Sequence, residues 1–290
     1  MIHRFVLHND AILDSTQPCL SPGQAGLLAG WGVFSTLRVN RGVLFAWDRH
    51  YARMKRDAEN LRVPFPDDAG WMEQQLLKVV EANGANEATL RVVVVNNGGS
   101  AWAGPSERRF DLLALTTGLT DWGTDVRLGV VHNARLSTGR FSGAKTTSWA
   151  WNLVWHNDAH EAGFDEVVLL NEHGEVAECT SANIFVVRGH DVLTPPLSAG
   201  CLPGVTRELL LSQVRIPDVR VQEATLTPPD LESADEVFIT STTRDCLPVA
   251  AIGAIATKGG HEICDQLRAA LSAWRSAWVD ARLNAPAFSR

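Results

Sequence analysis

The sequence predicts an α+β fold in two domains. The chain has 290 residues, more than one domain usually contains, so two units that share an interface are expected. Short strand-like segments alternate with helical ones, and several neighbouring strands are joined by tight turns. Such turns allow only antiparallel pairing, which favours α+β over a doubly wound parallel sheet.

The first domain is predicted at residues 1–118. Its strands are expected, from runs of β-branched and apolar residues, at 2–8, 32–39, 89–95 and 110–116. Apolar residues at helical spacing predict one helix from Trp47 to Leu61, ending before Pro64, and a second around Met72 and Val79, stopped by Asn83-Gly84. The stretch after residue 118 has turn composition, so we place an interdomain linker at 119–124.

The second domain is predicted at residues 125–290. Its expected elements are, in order, a strand VRLGVVH, a helix at about 148–162, a hairpin EVVLL-NEHG-EVAE, strands NIFVV and VLTP, a helix opened by Pro203-Gly204-Val205-Thr206, strands at 236–240 and VAAIGAI, and a closing helix at about 260–280. No repeat of fixed period interrupts this order.

Composition and charge argue against several classes of protein. Hydrophobic residues make up 45% and charged residues 20% of the chain, as in ordinary globular proteins. The net charge of -7 argues against a nucleic-acid partner, because such binding depends on clustered Lys and Arg. No apolar run approaches the length of a membrane span, and the start MIHRFVLHND lacks the apolar core of a signal peptide. We therefore expect a cytoplasmic protein without a membrane partner.

The cysteines predict neither a disulfide framework nor a metal site. They are five in number, scattered, and form no C-x-x-C pair: Cys19, Cys179, Cys201, Cys246 and Cys264. This pattern fits a reducing compartment.

One lysine has unusual neighbours. Lys145 lies in SGAKTTSW (142–149), among small and hydroxyl residues just before a predicted helix. A lysine amine becomes a nucleophile when burial or a nearby cation lowers its pKa, and it can then form a Schiff base with a carbonyl cofactor. From composition alone an exposed surface lysine is the commoner state.

A glutamate at a strand end is the second candidate. Glu178 in EVAECTSANIFVV (175–187) ends a strand and precedes a turn of small residues. A partly buried acid there could pair with a ring nitrogen and keep it protonated, which makes a pyridine ring a better electron sink. The alternative is a strand-end carboxylate that faces water.

Two turns could bind an anion. LPGVTREL (202–209) opens a helix, and TSTTR (240–244) directly follows a strand. Backbone amides at a helix start together with hydroxyl side chains make a phosphate site. Each turn alone could equally be an ordinary cap or loop.

Two arginines are open to more than one interpretation. Arg53 lies off the apolar stripe of the first helix, between His50 and Asp57, so periodicity alone predicts a solvated side chain. Arg244 could hold a substrate carboxylate bidentately, or it could pair with Asp245 or Glu236 at the surface.

The chain resembles the fold-type IV pyridoxal-phosphate enzymes in the order of five features: Arg53, Lys145, Glu178, LPGVTRE and the STT turn. The resemblance runs from GWGVFSTLRV (30–39) to TSTTRDCLPV (240–249), and AECTSANIFVV and LPGVTRELLL are its most specific stretches. It implies a two-domain fold like that of D-amino-acid aminotransferase, with pyridoxal 5'-phosphate between a small N-terminal and a larger C-terminal domain, and a homodimer.

The resemblance also implies a role for each matching residue. Lys145 would carry the cofactor as a Schiff base, and Glu178 would pair with the pyridine nitrogen. The phosphate would be held by Arg53, the amides of Val205 and Thr206 and the hydroxyl of Thr242. Arg244, Thr243, Trp31 and Phe34 are candidates for substrate contacts, and Trp102 and Trp149 could also line an apolar pocket.

Departures from the family pattern bear on the substrate. Branched-chain aminotransferases usually have a tyrosine five residues after the lysine, where this chain has Ala150, and a glutamate in place of Ser35. TSTTRD is closer to D-amino-acid aminotransferases, but NNGGSAW (96–102) replaces their arginine-and-histidine loop. We expect a transaminase acting on an amino acid or hydrophobic primary amine with a keto acid, with D-amino acids or (R)-amines favoured over L-branched-chain substrates.

Two other functions fit the sequence. FSTLRV and AECTSANIF resemble aminodeoxychorismate lyases, which would release pyruvate to form 4-aminobenzoate with the same lysine and cofactor. A catalytically idle cofactor-binding protein is the third interpretation, and the presence of both Lys145 and Glu178 argues against it.

Overall fold

The computed structural model describes residues 1–98, 101–102 and 108–284. The chain folds into two compact units. The first comprises Met1–Thr120, Lys145–Trp149 and the residues from Arg275 onward, and the second comprises Asp121–Ala144 and Ala150–Trp274. Gly99 and Ser100 of the predicted 96–102 loop, and residues 285–290 of the predicted second domain, lie outside the described residues.

The first unit contains a six-stranded antiparallel sheet. Its elements are β1 (Ile2–His8), β2 (Ala11–Asp14), α1 (Ala25–Ala29), β3 (Gly32–Asn40), β4 (Val43–Leu44), α2 (Trp47–Leu61), α3 (Ala69–Ala82), β5 (Glu87–Asn96) and β6 (Phe110–Thr117). The strand order is β2-β1-β6-β5-β3-β4. The four predicted strands and two predicted helices are confirmed; α1, β2 and β4 are too short to produce a periodic pattern.

One face of this sheet carries the core of the first unit. Alternation along β3 places Val33, Leu37 and Val39 in the same buried cluster as Met54 of α2 and Leu76 of α3. Burial of each large apolar side chain stabilises the fold by roughly 1.5–3 kcal/mol. The register of β3 is therefore strongly specified, because a shift of one residue would expose the whole apolar set.

The second unit contains a nine-stranded mixed sheet. Its elements are β7 (Val126–Arg135), α4 (Ala150–Glu161), β8 (Glu166–Asn171), β9 (Val176–Cys179), β10 (Asn183–Arg188), β11 (Asp191–Thr194), a 3-10 turn (Leu197–Ala199), α5 (Val205–Ser212), β12 (Arg220–Glu223), α6 (Pro228–Ser233), β13 (Glu236–Ser241), β14 (Asp245–Ile252), β15 (Ile255–Ala256) and the part of α7 (Glu262–Asn284) that precedes Arg275. The strand order is β12-β11-β10-β13-β14-β7-β8-β9, with β15 on β14.

Strand pairing in the second sheet follows the length of the connections. The tightly joined pairs β8/β9, β10/β11 and β13/β14 are antiparallel, as the sequence predicts. The pairs β7/β8, β14/β7 and β11/β12 are parallel, because their connections are long enough to cross over. Within the described ranges, no helix has both the length and the apolar character needed to span a membrane.

Candidate active site

The Lys145 segment is hydrogen-bonded to strand β3 in the first unit. The amide of Phe34 donates to the Lys145 carbonyl at 3.1 Å, and the Thr147 amide donates to the Gly32 carbonyl at 3.0 Å. Thr146 forms an isolated antiparallel bridge with Val33. The sequence pattern predicts Lys145 in the second domain, but these long-range bonds group it with the first unit.

Helix α2 also holds the lysine backbone. Asp57, with 1% of its surface exposed, accepts a hydrogen bond from the Lys145 amide at Oδ2 (3.0 Å). Its other oxygen accepts from the guanidinium of Arg56, so the buried carboxylate is both paired and hydrogen-bonded. Asp57 thereby fixes the backbone at Lys145.

Arg53 points into the protein rather than into solvent. It is 8% exposed, and its Nη2 donates to Ser35 Oγ at 2.8 Å. Ser35 Oγ also lies 2.8 Å from His50 Nδ1. The prediction of a solvated Arg53 from periodicity is therefore wrong. Strand β3 places the polar residue Ser35 against α2, where both Arg53 and His50 bond to it.

Burial and two neighbouring cations lower the pKa of His50. Complete burial, and then the charges of Arg53 and Lys145, hold the pKa of His50 well below its usual value of 6.5. Ser35 Oγ accepts from Arg53, and a neutral imidazole with its proton on Nε2 would accept the Ser35 hydroxyl proton at Nδ1. The serine thus links a cation to a neutral base with both of its hydrogen-bonding roles in use.

Aromatic rings lie beside the lysine amine. Lys145 Nζ is 4.6 Å from the centroid of the Phe34 ring, and Trp149 contacts the same ring edge-on at 6.4 Å. Trp31 packs against the core of the first unit, and its indole N–H donates to the Leu61 carbonyl. Trp102 is 78% exposed. Of these four aromatic candidates, Phe34 and Trp149 are the ones seen in the ring contacts beside Lys145.

Glu178 in the second unit is buried and has two strong partners. It is 8% exposed, and its Oε1 accepts from Arg135 Nε at 3.0 Å. Its Oε2 accepts from the Leu202 amide at 2.9 Å. The solvated alternative is therefore wrong, and the two bonds orient the Glu178 carboxyl group beside the LPG turn.

The LPG turn leads into helix α5. Gly204 is the N-cap residue and provides no side-chain cap for the first turn. Val205 and Thr206, the first two helical residues, are buried at 3% and 4% exposure. First-turn amides have no partner within their own helix and point along its axis, so this helix start suits an anion.

The turn after β13 carries the other candidates. Thr242 and Thr243 are partly buried, and Thr243 Oγ1 lies 3.3 Å from Ser241 Oγ. The Arg244 amide donates to the same Ser241 oxygen at 3.2 Å. This places three hydroxyl side chains in one turn directly after the strand.

Arg244 is bonded inside the second unit. Its Nη1 donates to Ser181 Oγ at 2.9 Å, its Nη2 is 3.6 Å from Glu166 Oε2, and its guanidinium lies 3.9 Å over the Trp122 ring. Burial lowers its pKa, and the charge of Glu166 opposes that shift. Neither surface partner considered from the sequence is used, since Glu236 instead caps α7 at the amides of Ile263 and Cys264.

Several residues around the candidates were not singled out from the sequence. Ser35, Asp57 and Arg135 each bond to a candidate residue, and His50 bonds to Ser35. The spacing of His50, Arg53 and Asp57 places these polar residues along one side of α2, beside its apolar stripe. This pattern could have indicated that they face a polar position of a neighbouring strand. Arg135 gave no such signal, since its partner lies 43 residues away.

Comparison with known proteins identifies the family. The sequence model of "Amino-transferase class IV" matches residues 32–252. The chain is 29% identical over 276 residues to a putative branched-chain-amino-acid aminotransferase of Methanocaldococcus jannaschii, covering 93% of this chain and 96% of that one. It is 26% identical to the D-alanine aminotransferase of Bacillus licheniformis, covering 85% and 88%.

A solved structure agrees with these relatives. The putative 4-amino-4-deoxychorismate lyase of Legionella pneumophila superposes with a TM-score of 0.81 at 25% identity, covering 89% of this chain and 96% of that one. Its similarity supports the two-domain α+β fold predicted from the sequence. The chain belongs to the class IV aminotransferases, and it is a transaminase that uses pyridoxal phosphate.

Proposed function

We propose that this enzyme transfers an amino group between an amino acid or hydrophobic primary amine and a keto acid, with D-amino acids or (R)-amines favoured. The observation that carries this proposal is the pair of aromatic rings beside the lysine amine. Lys145 Nζ lies against Phe34, and Phe34 contacts Trp149. Such rings favour an apolar substrate group beside the nitrogen that is exchanged.

The residues of each unit fit the cofactor chemically. In the first unit, Lys145 supplies the amine for covalent attachment and Arg53 a cation for the phosphate. In the second unit, Glu178 would supply a carboxyl acceptor for the pyridine nitrogen. The uncapped amides of Val205 and Thr206, with the hydroxyl of Thr242, supply phosphate donors.

The protein's own groups then perform the proton transfers. Bound pyridoxal phosphate supplies an electron sink that stabilises negative charge on the substrate carbon. The Lys145 amine, once released by a substrate amine, would be the group that holds and moves a proton at that carbon. Arg135 and the Leu202 amide donate to Glu178 and fix the orientation of its carboxylate, which would accept a hydrogen bond from the pyridine nitrogen.

A spectroscopic half-reaction screen tests this function. We expect a yellow enzyme whose absorbance shifts on addition of a D-amino acid or an (R)-amine and shifts back with a keto acid. Lys145→Ala should lose covalent cofactor, and covalent binding by that variant would contradict the assignment of the lysine. A response to L-branched-chain amino acids alone would contradict the proposed preference, which rests on Ser35 and Ala150 as departures from that subgroup.

Aminodeoxychorismate lyase activity is the second candidate function. The similarity to the Legionella pneumophila structure favours it, as does the FSTLRV segment. A lyase would release pyruvate from aminodeoxychorismate without any keto acceptor. Pyruvate release of this kind, with no amino transfer in the half-reaction screen, would replace the transaminase proposal.

We further propose a homodimer and a reducing, cytoplasmic location. Helix α4 exposes apolar side chains that water solvates poorly: Trp151 at 73%, Leu153 at 50% and Val154 at 51%. Light scattering should give twice the monomer mass, and Val154→Glu should lower it if a second copy covers α4. All five cysteines are free thiols, which suits a reducing compartment.

A further inference from the structure

Two turns of the second unit meet at one edge of its sheet. Strands β10 and β13 pair antiparallel, with Asn183 opposite Thr240. The 180–182 turn directly precedes β10, and the 242–244 turn directly follows β13. Because the start of one antiparallel strand lies beside the end of its partner, the two turns are neighbours in space although they are far apart in the sequence.

Arg244 joins these two turns. Its Nη1 donates to Ser181 Oγ at 2.9 Å and to the Ser181 carbonyl at 3.3 Å. Its own backbone amide donates to Ser241 Oγ at 3.2 Å, at the end of β13. A guanidinium carries several donors in one fixed plane, so one arginine can bind two acceptors of another segment while its backbone stays in its own turn.

Two further contacts hold the guanidinium of Arg244 in place. Its Nη2 lies 3.6 Å from Glu166 Oε2, and its central carbon lies 3.9 Å from the centroid of the Trp122 ring. Glu166 also accepts from Ser181 Oγ at 2.5 Å and from a backbone amide of the same turn at 3.2 Å. The side chains of Arg244 and Glu166 are 6% and 1% exposed, so solvent screens their pairing far less than at a surface.

Each turn adjoins a residue that the proposed function assigns to the cofactor. Thr242, the proposed phosphate donor, is the first residue of the 242–244 turn. Glu178, the proposed acceptor for the pyridine nitrogen, lies just before the 180–182 turn and is fixed by the Leu202 amide. Phosphate and ring nitrogen belong to one small molecule, so the groups that bind them must keep a set separation, and contacts behind those groups maintain it.

We infer that Arg244 is a positioning residue for the cofactor phosphate: it ties the 242–244 turn to the 180–182 turn and so holds the Thr242 hydroxyl in place. This inference rests on the proposed function and deepens it, since Arg244 supports the phosphate site without touching the phosphate. A substrate carboxylate at Arg244 would meet the like charge of Glu166, which argues against the substrate contact considered from the sequence.

Binding of two aldehydes to the apoprotein tests the inference without turnover. Pyridoxal 5'-phosphate and pyridoxal share the ring and the aldehyde, and they differ by the phosphate. Arg244→Met keeps an apolar stem against Trp122 and removes the donors. In an absorbance titration it should lower the affinity for pyridoxal phosphate about tenfold and leave that for pyridoxal within about twofold, because Arg135 and the Leu202 amide still fix Glu178.

A double variant shows whether Arg244 acts through Thr242. Thr242→Val removes the hydroxyl and should itself weaken binding of pyridoxal phosphate about tenfold. If Arg244 places this hydroxyl, the double variant should bind no worse than the weaker single variant, within about twofold, because the second change removes nothing further. Losses that multiply, or wild-type affinity in Thr242→Val, would contradict the inference.

Arg188→Met is the matched control. Arg188 also pairs with an acid of the second unit, Asp230, but it lies at the other end of β10. This variant should bind both aldehydes as wild type does. Circular dichroism and thermal unfolding of each apoprotein show whether it is folded at the temperature of the titration.

Ser181→Ala keeps the inference testable if Arg244→Met folds poorly. It removes one acceptor of Arg244 and leaves the arginine beside Glu166. It should weaken binding of pyridoxal phosphate and not of pyridoxal. Equal losses for both aldehydes in Arg244→Met, or wild-type affinity for pyridoxal phosphate in both variants, would overturn the inference.

The failure of the proposed function would look different. Wild-type enzyme that binds pyridoxal phosphate but exchanges no amino group with any donor would contradict the function. The aldehyde titrations would still decide the role of Arg244, because they involve no turnover.

Discussion

At the scale of single residues, the buried His50 gives the protein a pH dependence of known sign. Its pKa is lowered in the folded state, so the unfolded chain binds a proton that native His50 does not. Stability is therefore complete above the unfolded value of 6.5 and falls as the pH drops below it, by up to about 1.4 kcal/mol per pH unit for one proton.

His50→Gln tests this dependence. Glutamine keeps a hydrogen-bonding partner for Ser35 but does not titrate. Urea unfolding at pH 7 and pH 5 should show a smaller loss of the free energy of unfolding in the variant than in wild type. The same loss in both proteins would mean that other groups cause the acid sensitivity.

Asp57 is the second residue whose substitution gives a testable prediction, because it affects both stability and the position of the Lys145 backbone. Asp57→Ala leaves the Lys145 amide without its acceptor, and an unsatisfied buried amide costs about 1–3 kcal/mol. We expect a lower free energy of unfolding and a reduced rate of the half-reaction, since the lysine backbone is no longer fixed. Asp57→Asn retains an acceptor oxygen and should recover most of the rate; a rate in Asp57→Ala equal to wild type would exclude the positioning role.

At the scale of elements, the start of α5 depends on the absence of a side chain at position 204. A Cβ on Gly204 would lie 2.0 Å from Asn183 Oδ1, and Asn183 itself donates to the Leu202 carbonyl at 2.8 Å. The backbone angles of Gly204, φ -66° and ψ 139°, are open to any residue. The constraint is therefore one of space, not of backbone strain.

Gly204→Ala should move the helix start and weaken the proposed phosphate site. We expect a stability loss of about 1–3 kcal/mol, typical of overpacking, and weaker binding of pyridoxal phosphate to the apoprotein, both followed by thermal unfolding and cofactor absorbance. Gly118→Ala is the matched control, because a Cβ there meets nothing within 4 Å. If the two variants behave alike, Asn183 does not constrain the turn.

Elements also differ in how far the sequence predicts them. Helix α2 and helix α7 are predicted to within a few residues, because long amphipathic segments leave a clear period. Helix α1 spans five residues and is stabilised by Gln24, whose side chain accepts from the Leu27 amide. A single local hydrogen bond of this kind has no periodic signature.

At the scale of the whole molecule, fold class and family were predictable and the site contacts were not. Local motifs such as AECTSANIFVV and LPGVTRELLL are contiguous, so they can be read directly from the chain. The bonds of Lys145 to Asp57 and of Arg135 to Glu178 join residues 88 and 43 positions apart. Such pairs depend on tertiary packing, which a pattern along the chain does not show.

The reactivity of the cysteine thiols measures whether the whole chain is folded. Four of the five are buried, and Cys19 is partly accessible. Burial raises the pKa of Cys201 and of Cys264 to about 12, and it raises those of Cys179 and Cys246 well above the usual range. Because the thiolate is the reactive form, native protein at pH 8 should react with a disulfide reagent at Cys19 alone, and all five thiols should react in denaturant. In Cys19→Ser the rapid phase should disappear, so any remaining reaction measures opening of the folded units. Rapid reaction of a second thiol in native protein would contradict the burial of the other four cysteines.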